Sequence, residues 1–521
     1  MVHSRNPSVI NPGIALVLAG SGILYLTALF PFSLGSYAYL WWIGLLIYSL
    51  MVIAVSRGMR EPIRIFQTWL IFMLLFPKRN PNGNFVTWLN AWAPEIEVPV
   101  VQIIGFVLSI GCLVSVHGLR SRDNVSKASK LWSQCGLALI VSGVCSLIAC
   151  IRNQYVMADL LLHYRFLFFG LNHSILVITE GIIVLCIGKL AWDDQKVKTC
   201  LKLGAFGLVV GAGEFLLWMT FDETSIIGRY LADFRGGFRS IINGLGGGTM
   251  MGPAGVFVVS CFVLGVRNRI ITIMGGLLAM IIAISSLHRT TGFAVALTFM
   301  LSFIFSRRLN RAATLLVFAS SLGIMFLAYQ SVFIEKFKEI DYRKGRSYFS
   351  LESMNSRFIL SVASIQILQH SPVVGTGIGG LGPYLIKYYN DRSYGFRAMS
   401  EMLADANLLE DRIFDAHVLV VSLLSSCGIG GLLSVIVLVA CLWHAFLKGF
   451  INGTGVSRVM FIGVAGSVFC YLPQAEPYIV SYGLLLGRFC CLYGKSLPAV
   501  NHRQAGSVRR GYERGRVVAS R

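Results

Sequence analysis

The feature that most constrains this chain is a set of long apolar runs with almost no charge, among them 14–30, 35–55, 98–116 and 312–330. A helix rises about 1.5 Å per residue, so ~20 such residues cross a hydrocarbon layer ~30 Å thick. A helix also satisfies its own backbone hydrogen bonds in lipid. Only 13% of the residues are charged, where a soluble domain has about 25%. The runs therefore predict membrane-spanning helices.

The predicted fold is all-α, a polytopic transmembrane helical bundle of about 12–14 helices. The candidate spans are 14–30, 35–55, 63–76, 98–116, 132–151, 166–187, 201–220, 249–266, 270–287, 290–306, 312–330, 416–445, 459–472 and 479–494. Four regions follow: a transmembrane bundle (1–330), a large loop (331–415), C-terminal spans (416–495) and a basic tail (496–521).

The basic charges predict the orientation of the spans. The net charge is +21, and no nucleic-acid-binding motif accompanies it. When alternate loops are assigned to opposite sides, one set, with Arg488 counted in it, holds 27 Lys and Arg and the short loops of the other set hold 8. Cytoplasmic loops are enriched in Lys and Arg, so the first set, with both termini and the tail, is predicted to be cytoplasmic. The large loop then lies on the far side.

Metal and cofactor chemistry are not expected from this sequence. The 12 cysteines fall in or beside apolar segments, without zinc-type spacing or a disulfide framework. An early far-side loop with paired aspartates, which could hold a catalytic metal, is also missing from the sequence. We therefore predict neither a metal nor a cofactor.

Several charged residues on the predicted far side are candidates for chemistry. Arg289 lies in a short turn between two apolar runs, Arg357 lies on an amphipathic segment of the large loop, and His417 opens the span after that loop. Guanidinium groups bind phosphate oxygens in a bidentate manner, and a histidine can accept a proton near neutral pH. The plainer alternatives are arginines that reach lipid headgroups and a histidine that hydrogen-bonds locally. A further short loop contributes three arginines: Arg229, Arg235 and Arg239.

The large loop also contains two local patterns. Met354, Phe358, Val362 and Ile365 recur at helical spacing, and Pro372 should end that helix. A glycine-rich stretch follows at 375–382. Consecutive backbone N–H groups in such a stretch can bind phosphate, although glycines more often simply form turns.

Three stretches together resemble a known family. The first is the 286–292 turn with its arginine, the second is 355–358 followed by 371–377, and the third is His417 followed by 428–431. In order, spacing and predicted side, they resemble the bacterial O-antigen ligase and O-antigen polymerase superfamily. The resemblance covers roughly 270–440. Two positions depart from the family's pattern, with valine after the histidine and serine two residues before the glycine at 428.

The resemblance implies a membrane glycosyltransferase with a GT-C-like bundle in the bacterial inner membrane. The donor would be a glycan on undecaprenyl diphosphate, and the acceptor a sugar hydroxyl at the periplasmic face. His417 would be the base, and Arg289 and Arg357 would stabilise the departing diphosphate, helped by Arg229, Arg235 or Arg239. Transfer would invert the anomeric centre without a metal. Ligase and polymerase activities both remain open, and a chain-length regulator is a further expected partner.

The alternative from another class is a transporter of lipid-linked oligosaccharides. A transporter should contain repeated halves and ionisable residues near the bilayer midplane. No repeat is evident, and the main buried candidates are Glu180 and Glu214. A purely structural membrane scaffold is the third possibility.

Overall fold

The protein is described here from a computed structural model. The structure describes residues 38–75, 100–118, 127–153, 160–203, 319, 361–362, 364–381, 384, 419–471 and 480–493. Within these residues 88% are helical and there are no strands. The all-α prediction is therefore confirmed for this part of the chain.

Eight long helices occur in the described residues, and each overlaps one predicted span. They are α1 (Ala38–Gly58), α2 (Pro62–Leu75), α3 (Val100–Gly118), α4 (Lys127–Asn153), α5 (Leu160–Lys189), α6 (Leu419–Ala445), α7 (Gly455–Tyr471) and α8 (Val480–Tyr493). A π-helical turn, Phe446–Ile451, extends α6. The predicted spans 14–30, 249–266, 270–287 and 290–306 lie outside the described residues, as do nearly all of 201–220 and 312–330.

Three helical segments are long and apolar enough to cross a membrane: Lys127–Arg152, Gly170–Lys189 and Leu419–Ile451. Large apolar side chains remain exposed along them. On α4 they recur at helical spacing and are 38–58% exposed, at Leu137, Val141, Val144, Ile148 and Ile151. A stripe of this kind suits contact with lipid, because water would disfavour so large an apolar surface.

Helix α4 is the centre of the described bundle, because it packs antiparallel against both α5 and α6. A Cβ added at Gly136 would lie 2.6 Å from the Gly181 carbonyl oxygen, so the α4 and α5 backbones are in direct contact. On the α6 side, the Ser142 and Ser434 hydroxyls are hydrogen-bonded at 2.7 Å. Small residues at such contacts are characteristic of helix packing in membranes.

Helix α8 is the most enclosed of the described helices, although it has only 14 residues. Every residue from Ser481 to Cys491 is buried, which includes all sides of the helix. The indole N–H of Trp132 donates to the Leu484 carbonyl oxygen at 2.9 Å, and the Cys490 thiol donates to the Ser457 carbonyl oxygen at 3.2 Å. A helix that is buried on all sides depends on the elements that cover it.

Candidate functional site

The most distinctive local structure is the glycine loop (371–381). Helical residues at 361–362 and 364–368 lead into it, and the helix ends before Pro372, as the sequence predicted for the described part of that helix. The Ser371 hydroxyl donates to the Gly375 carbonyl oxygen at 2.7 Å, and the Gly375 N–H donates to the Ser371 carbonyl oxygen at 2.9 Å. Gly375 and Gly377 have φ values of 75° and 79°. Side chains disfavour this region, so glycine is suited to both positions.

The glycine loop binds α6 where that helix is interrupted. Gly428 has φ 56° and ψ −130°, which breaks the helical hydrogen-bond pattern. The carbonyl oxygen of Ser425 instead accepts the Thr376 N–H at 2.8 Å, and that of Ser426 accepts the Gly377 N–H at 3.0 Å. The loop thus satisfies carbonyl groups that a continuous helix would satisfy internally.

The exchange between loop and helix is mutual. The Ile429 N–H, just after the break, donates to the Val373 carbonyl oxygen at 3.2 Å. A Cβ added at Gly428 would lie 2.6 Å from that same oxygen and 2.7 Å from the Pro372 oxygen. Irregular backbone at membrane depth persists only where protein groups replace water as partners. The loop and the break in α6 therefore form one unit, which we call the loop–α6 junction.

The opposite side of the glycine loop contacts α4 and α5. The Ile378 N–H donates to the Ser146 hydroxyl oxygen at 3.0 Å, and Ser146 is hydrogen-bonded to Ser174 at 2.8 Å. A Cβ added at Gly377 would lie 2.7 Å from the Cys150 sulfur. The loop is thus held between three helices, which fixes its position.

The loop–α6 junction carries no charged side chain. It can hold neighbouring segments in position, but it does not itself supply an acid, a base or a charge. Residues 371–381 and 419–431 contain no Asp, Glu, Lys, Arg or His. Ser426 is 1% exposed, and its hydroxyl has no hydrogen-bond partner. Within the described residues, no group of three His, Cys, Asp or Glu side chains could hold a metal ion. An acid–base or phosphate-binding group has to come from residues that flank the junction.

The predicted site residues themselves are not among those described. Arg289, Arg357, His417, Arg229, Arg235 and Arg239 all lie outside the described residues, so their roles stay predictions. The structure does bring together two stretches that the sequence linked only by resemblance. Residues 371–377 and 428–431 are far apart in the chain and meet directly at the junction.

Among the described residues of the bundle, Glu180 and Arg488 are the two buried side chains of the Asp, Glu, Lys and Arg types. Glu180 on α5 is 3% exposed, as expected for a buried candidate, and it lies within electrostatic range of the buried Tyr482 on α8. Arg488 on α8 is only 7% exposed, although the charge pattern places it with the cytoplasmic charges. The apolar residues on both sides of it, Leu484–Leu486 and Phe489–Leu492, are the sequence feature that could have predicted its burial.

No protein-family model matches the chain, and no curated protein matches it. The fold and the junction define the class, a helical protein with segments suited to spanning a membrane.

Proposed function

We propose that this chain is a membrane glycosyltransferase of the O-antigen ligase and polymerase type, with both termini in the cytoplasm. It transfers a glycan from undecaprenyl diphosphate to an acceptor sugar hydroxyl at the periplasmic face, in the synthesis of O-antigen, capsule or exopolysaccharide. The observation that supports the proposal most is the loop–α6 junction. It joins 373–377, in the second resembling stretch, to 425–429, which reaches into the third, through three backbone hydrogen bonds.

The junction suits this activity because it is a fixed point between two candidate segments. Arg357 precedes the described helical residues 361–362 and 364–368 along the chain, and His417 precedes α6 by two residues. Both segments lead into the same hydrogen-bonded unit. Catalytic groups on separate segments need such shared support, because errors of ~1 Å in position cost large factors in rate.

The proposed chemistry is a direct displacement. The imidazole of His417 accepts the proton of the acceptor hydroxyl, whose oxygen forms a bond to the anomeric carbon of the donor. The bond from that carbon to the diphosphate oxygen breaks, and its electron pair leaves with the diphosphate. Arg289 and Arg357 stabilise the charge that develops there, with Arg229, Arg235 or Arg239 in support. The configuration at the anomeric carbon is inverted.

One observation favours the alternative function, a transporter of lipid-linked oligosaccharide. Glu180 is buried within Gly170–Lys189, one of the segments suited to crossing a membrane. Ionisable residues at such depth often belong to ion or substrate pathways. The enzyme remains our first proposal, because a displacement at the membrane surface does not require this carboxyl group.

The two functions can be separated by complementation in a strain that lacks the gene. We compare wild type with Arg289→Ala, Arg357→Ala, His417→Ala and Glu180→Gln, and read polysaccharide ladders on gels with protein levels matched. We expect each of the first three changes to lower transfer by ~100-fold or more, because proton transfer and charge stabilisation each contribute at that level. Loss of long chains with single repeats retained indicates a polymerase, and loss of all attached glycan indicates a ligase.

The matched control is Arg57→Ala, which removes an exposed guanidinium from α1 on the predicted cytoplasmic side. It should leave the ladders unchanged. Normal ladders from all three far-side variants, at normal protein levels, would remove the enzyme. If only Glu180→Gln stops glycan export, the transporter replaces it.

A further inference from the structure

Arg488 is a buried guanidinium without a counter-charge in the described part of the protein. It is 7% exposed, and its Nε has no hydrogen-bond partner. The ion pairs of the described residues join Glu61 to Arg64, Asp193 to Lys196 and Asp194 to Lys198. None of them includes Arg488. Buried charges are ordinarily paired, since desolvation without a partner costs several kcal/mol.

Two side chains that can donate hydrogen bonds, His444 and Lys448, lie near Arg488, and neither supplies a negative charge. His444, at the end of α6, lies within electrostatic range of both Lys448 and Arg488. The neighbouring glycine places α8 against the end of α6: a Cβ added at Gly487 would lie 3.3 Å from the Trp132 ring and 3.6 Å from the Ala445 Cβ. The Trp132 and His444 ring centroids are 6.4 Å apart. One turn of α8 therefore faces the end of α6 and the start of the π-helical turn, where His444 and Lys448 lie.

We propose that Arg488, His444 and Lys448 form a binding site for a phosphate group. A phosphate would supply the missing negative charge and accept the N–H donors of the guanidinium, which matches phosphate oxygens in a planar fork. Lys448 is exposed, so the site has an accessible edge. Its position differs from that of the proposed glycan-transfer site, because Lys448 lies in a loop that the charge pattern assigns to the cytoplasm and Arg488 lies toward the end of α8 that leads to the cytoplasmic tail.

Two sources of phosphate fit this chemistry. One is the headgroup of an anionic lipid in the cytoplasmic leaflet, where each Lys or Arg near the surface adds ~1 kcal/mol of attraction, a factor of about five in affinity. The other is a soluble phosphate-bearing molecule. Trp443, which is 60% exposed beside His444, provides apolar surface next to the charges, as a lipid chain would require.

The test uses the full-length protein in nanodiscs of phosphatidylcholine with or without phosphatidylglycerol. The amount of each lipid that stays with the protein is measured by mass spectrometry after transfer to detergent. A second arm measures thermal unfolding with inorganic phosphate at constant ionic strength. We expect wild type to retain phosphatidylglycerol in preference to phosphatidylcholine. Lys448→Gln should weaken this preference about fivefold, and Arg488→Gln should abolish it.

The matched control is Lys130→Gln, since Lys130 is an exposed lysine at the start of α4 on the same predicted side. It should behave as wild type. Stabilisation by inorganic phosphate without lipid retention, lost in Lys448→Gln, assigns the site to a soluble ligand. If wild type shows neither lipid preference nor phosphate stabilisation, the proposal is overturned. Should Arg488→Gln fail to fold, equal behaviour of Lys448→Gln and Lys130→Gln would overturn it as well.

Discussion

Gly428 is the residue on which the loop–α6 junction depends. Its φ of 56° is disfavoured for a residue with a side chain, and two carbonyl oxygens of the glycine loop lie where a Cβ would be placed. A glycine inside an apolar helix normally weakens that helix by removing side-chain packing. Here it permits the backbone of the loop to approach closely enough to form hydrogen bonds with α6.

We predict that Gly428→Ala destabilises the protein by at least ~2 kcal/mol, because a left-handed conformation costs ~1–2 kcal/mol and the overlap with carbonyl oxygens adds to it. The measurement is thermal or denaturant unfolding in detergent. Gly58→Ala is the matched control, since nothing lies within 4 Å of the added Cβ at the end of α1. Equal stability of the two variants would contradict this account of the junction.

Glu180 and Arg488 show that burial at the residue level has different consequences for different groups. A carboxyl group can become neutral by taking up a proton, whereas a guanidinium stays charged in proteins. Arg488 therefore needs a negatively charged partner to offset its burial, whereas Glu180 can be buried in its neutral form. This difference is the reason that Arg488 carries the phosphate-site proposal.

At the scale of elements, the contact between α4 and α5 is built from small residues. A Cβ added at Gly136 would lie 2.4 Å from the Leu185 nitrogen, and one at Gly143 would lie 2.9 Å from the Ser174 oxygen. Backbone atoms cannot move aside as the end of a flexible side chain can. Lipid gives no hydrophobic driving force between helices, so close backbone packing has to supply the attraction.

We expect Gly136→Val to cost ~1–3 kcal/mol, the range for overpacking a closely packed contact. The readout is thermal unfolding in detergent, with the yield of folded protein by gel filtration. The control is Leu137→Val on the same turn, because Leu137 is 58% exposed and makes no such contact. A stable Gly136→Val protein with unchanged unfolding would show that the two helices can separate without cost.

At the scale of the whole molecule, Tyr493 at the end of α8 links sequence-distant parts of the chain. Its hydroxyl donates to the carboxylate of Asp194, which also pairs with Lys198 at 2.5 Å. The hydrogen bond from Lys198, followed by that from Tyr493, lowers the pKa of Asp194 below its ordinary value. The ionised carboxylate is thus the form that the folded protein favours.

The sign of the pH dependence follows from this shift. The pKa of Asp194 is lower in the folded protein than in the unfolded one. The carboxylate therefore stabilises the fold fully at pH values above its unfolded pKa of ~3.9. This stabilisation is lost as the pH falls through the folded pKa. We predict that Asp194→Asn lowers stability at neutral pH by less than ~1 kcal/mol, since the pair is exposed. The difference from wild type should vanish in acid. Unfolding midpoints across that pH range provide the measurement.

A double-mutant cycle with Tyr493→Phe tests whether the hydrogen bond between Tyr493 and Asp194 stabilises the fold. The effects of Asp194→Asn and Tyr493→Phe should be non-additive if their side chains act together. Additive effects at neutral pH would show that the hydrogen bond contributes nothing to stability.

The sequence alone determined the described helices to within a few residues at most ends. Each of α1–α8 coincides with a predicted span, because the length and charge of an apolar run are local properties of the chain. The predicted end of the helix before Pro372 is likewise local, since proline removes its own N–H donor. The orientation of the spans and the roles of Arg289, Arg357 and His417 remain predictions from the sequence.

Only the tertiary structure decided which segments provide the hydrogen-bond partners of one another's buried groups. The span predicted at 416–445 contains no Asp, Glu, Lys or Arg, and its break at Gly428 is defined by hydrogen bonds to a loop about 50 residues earlier in the chain. Arg488 looks like an ordinary cytoplasmic charge until α6 and α8 are packed together. Apolarity is set by each residue itself, but the partner of a buried backbone group or charge comes from elsewhere in the chain.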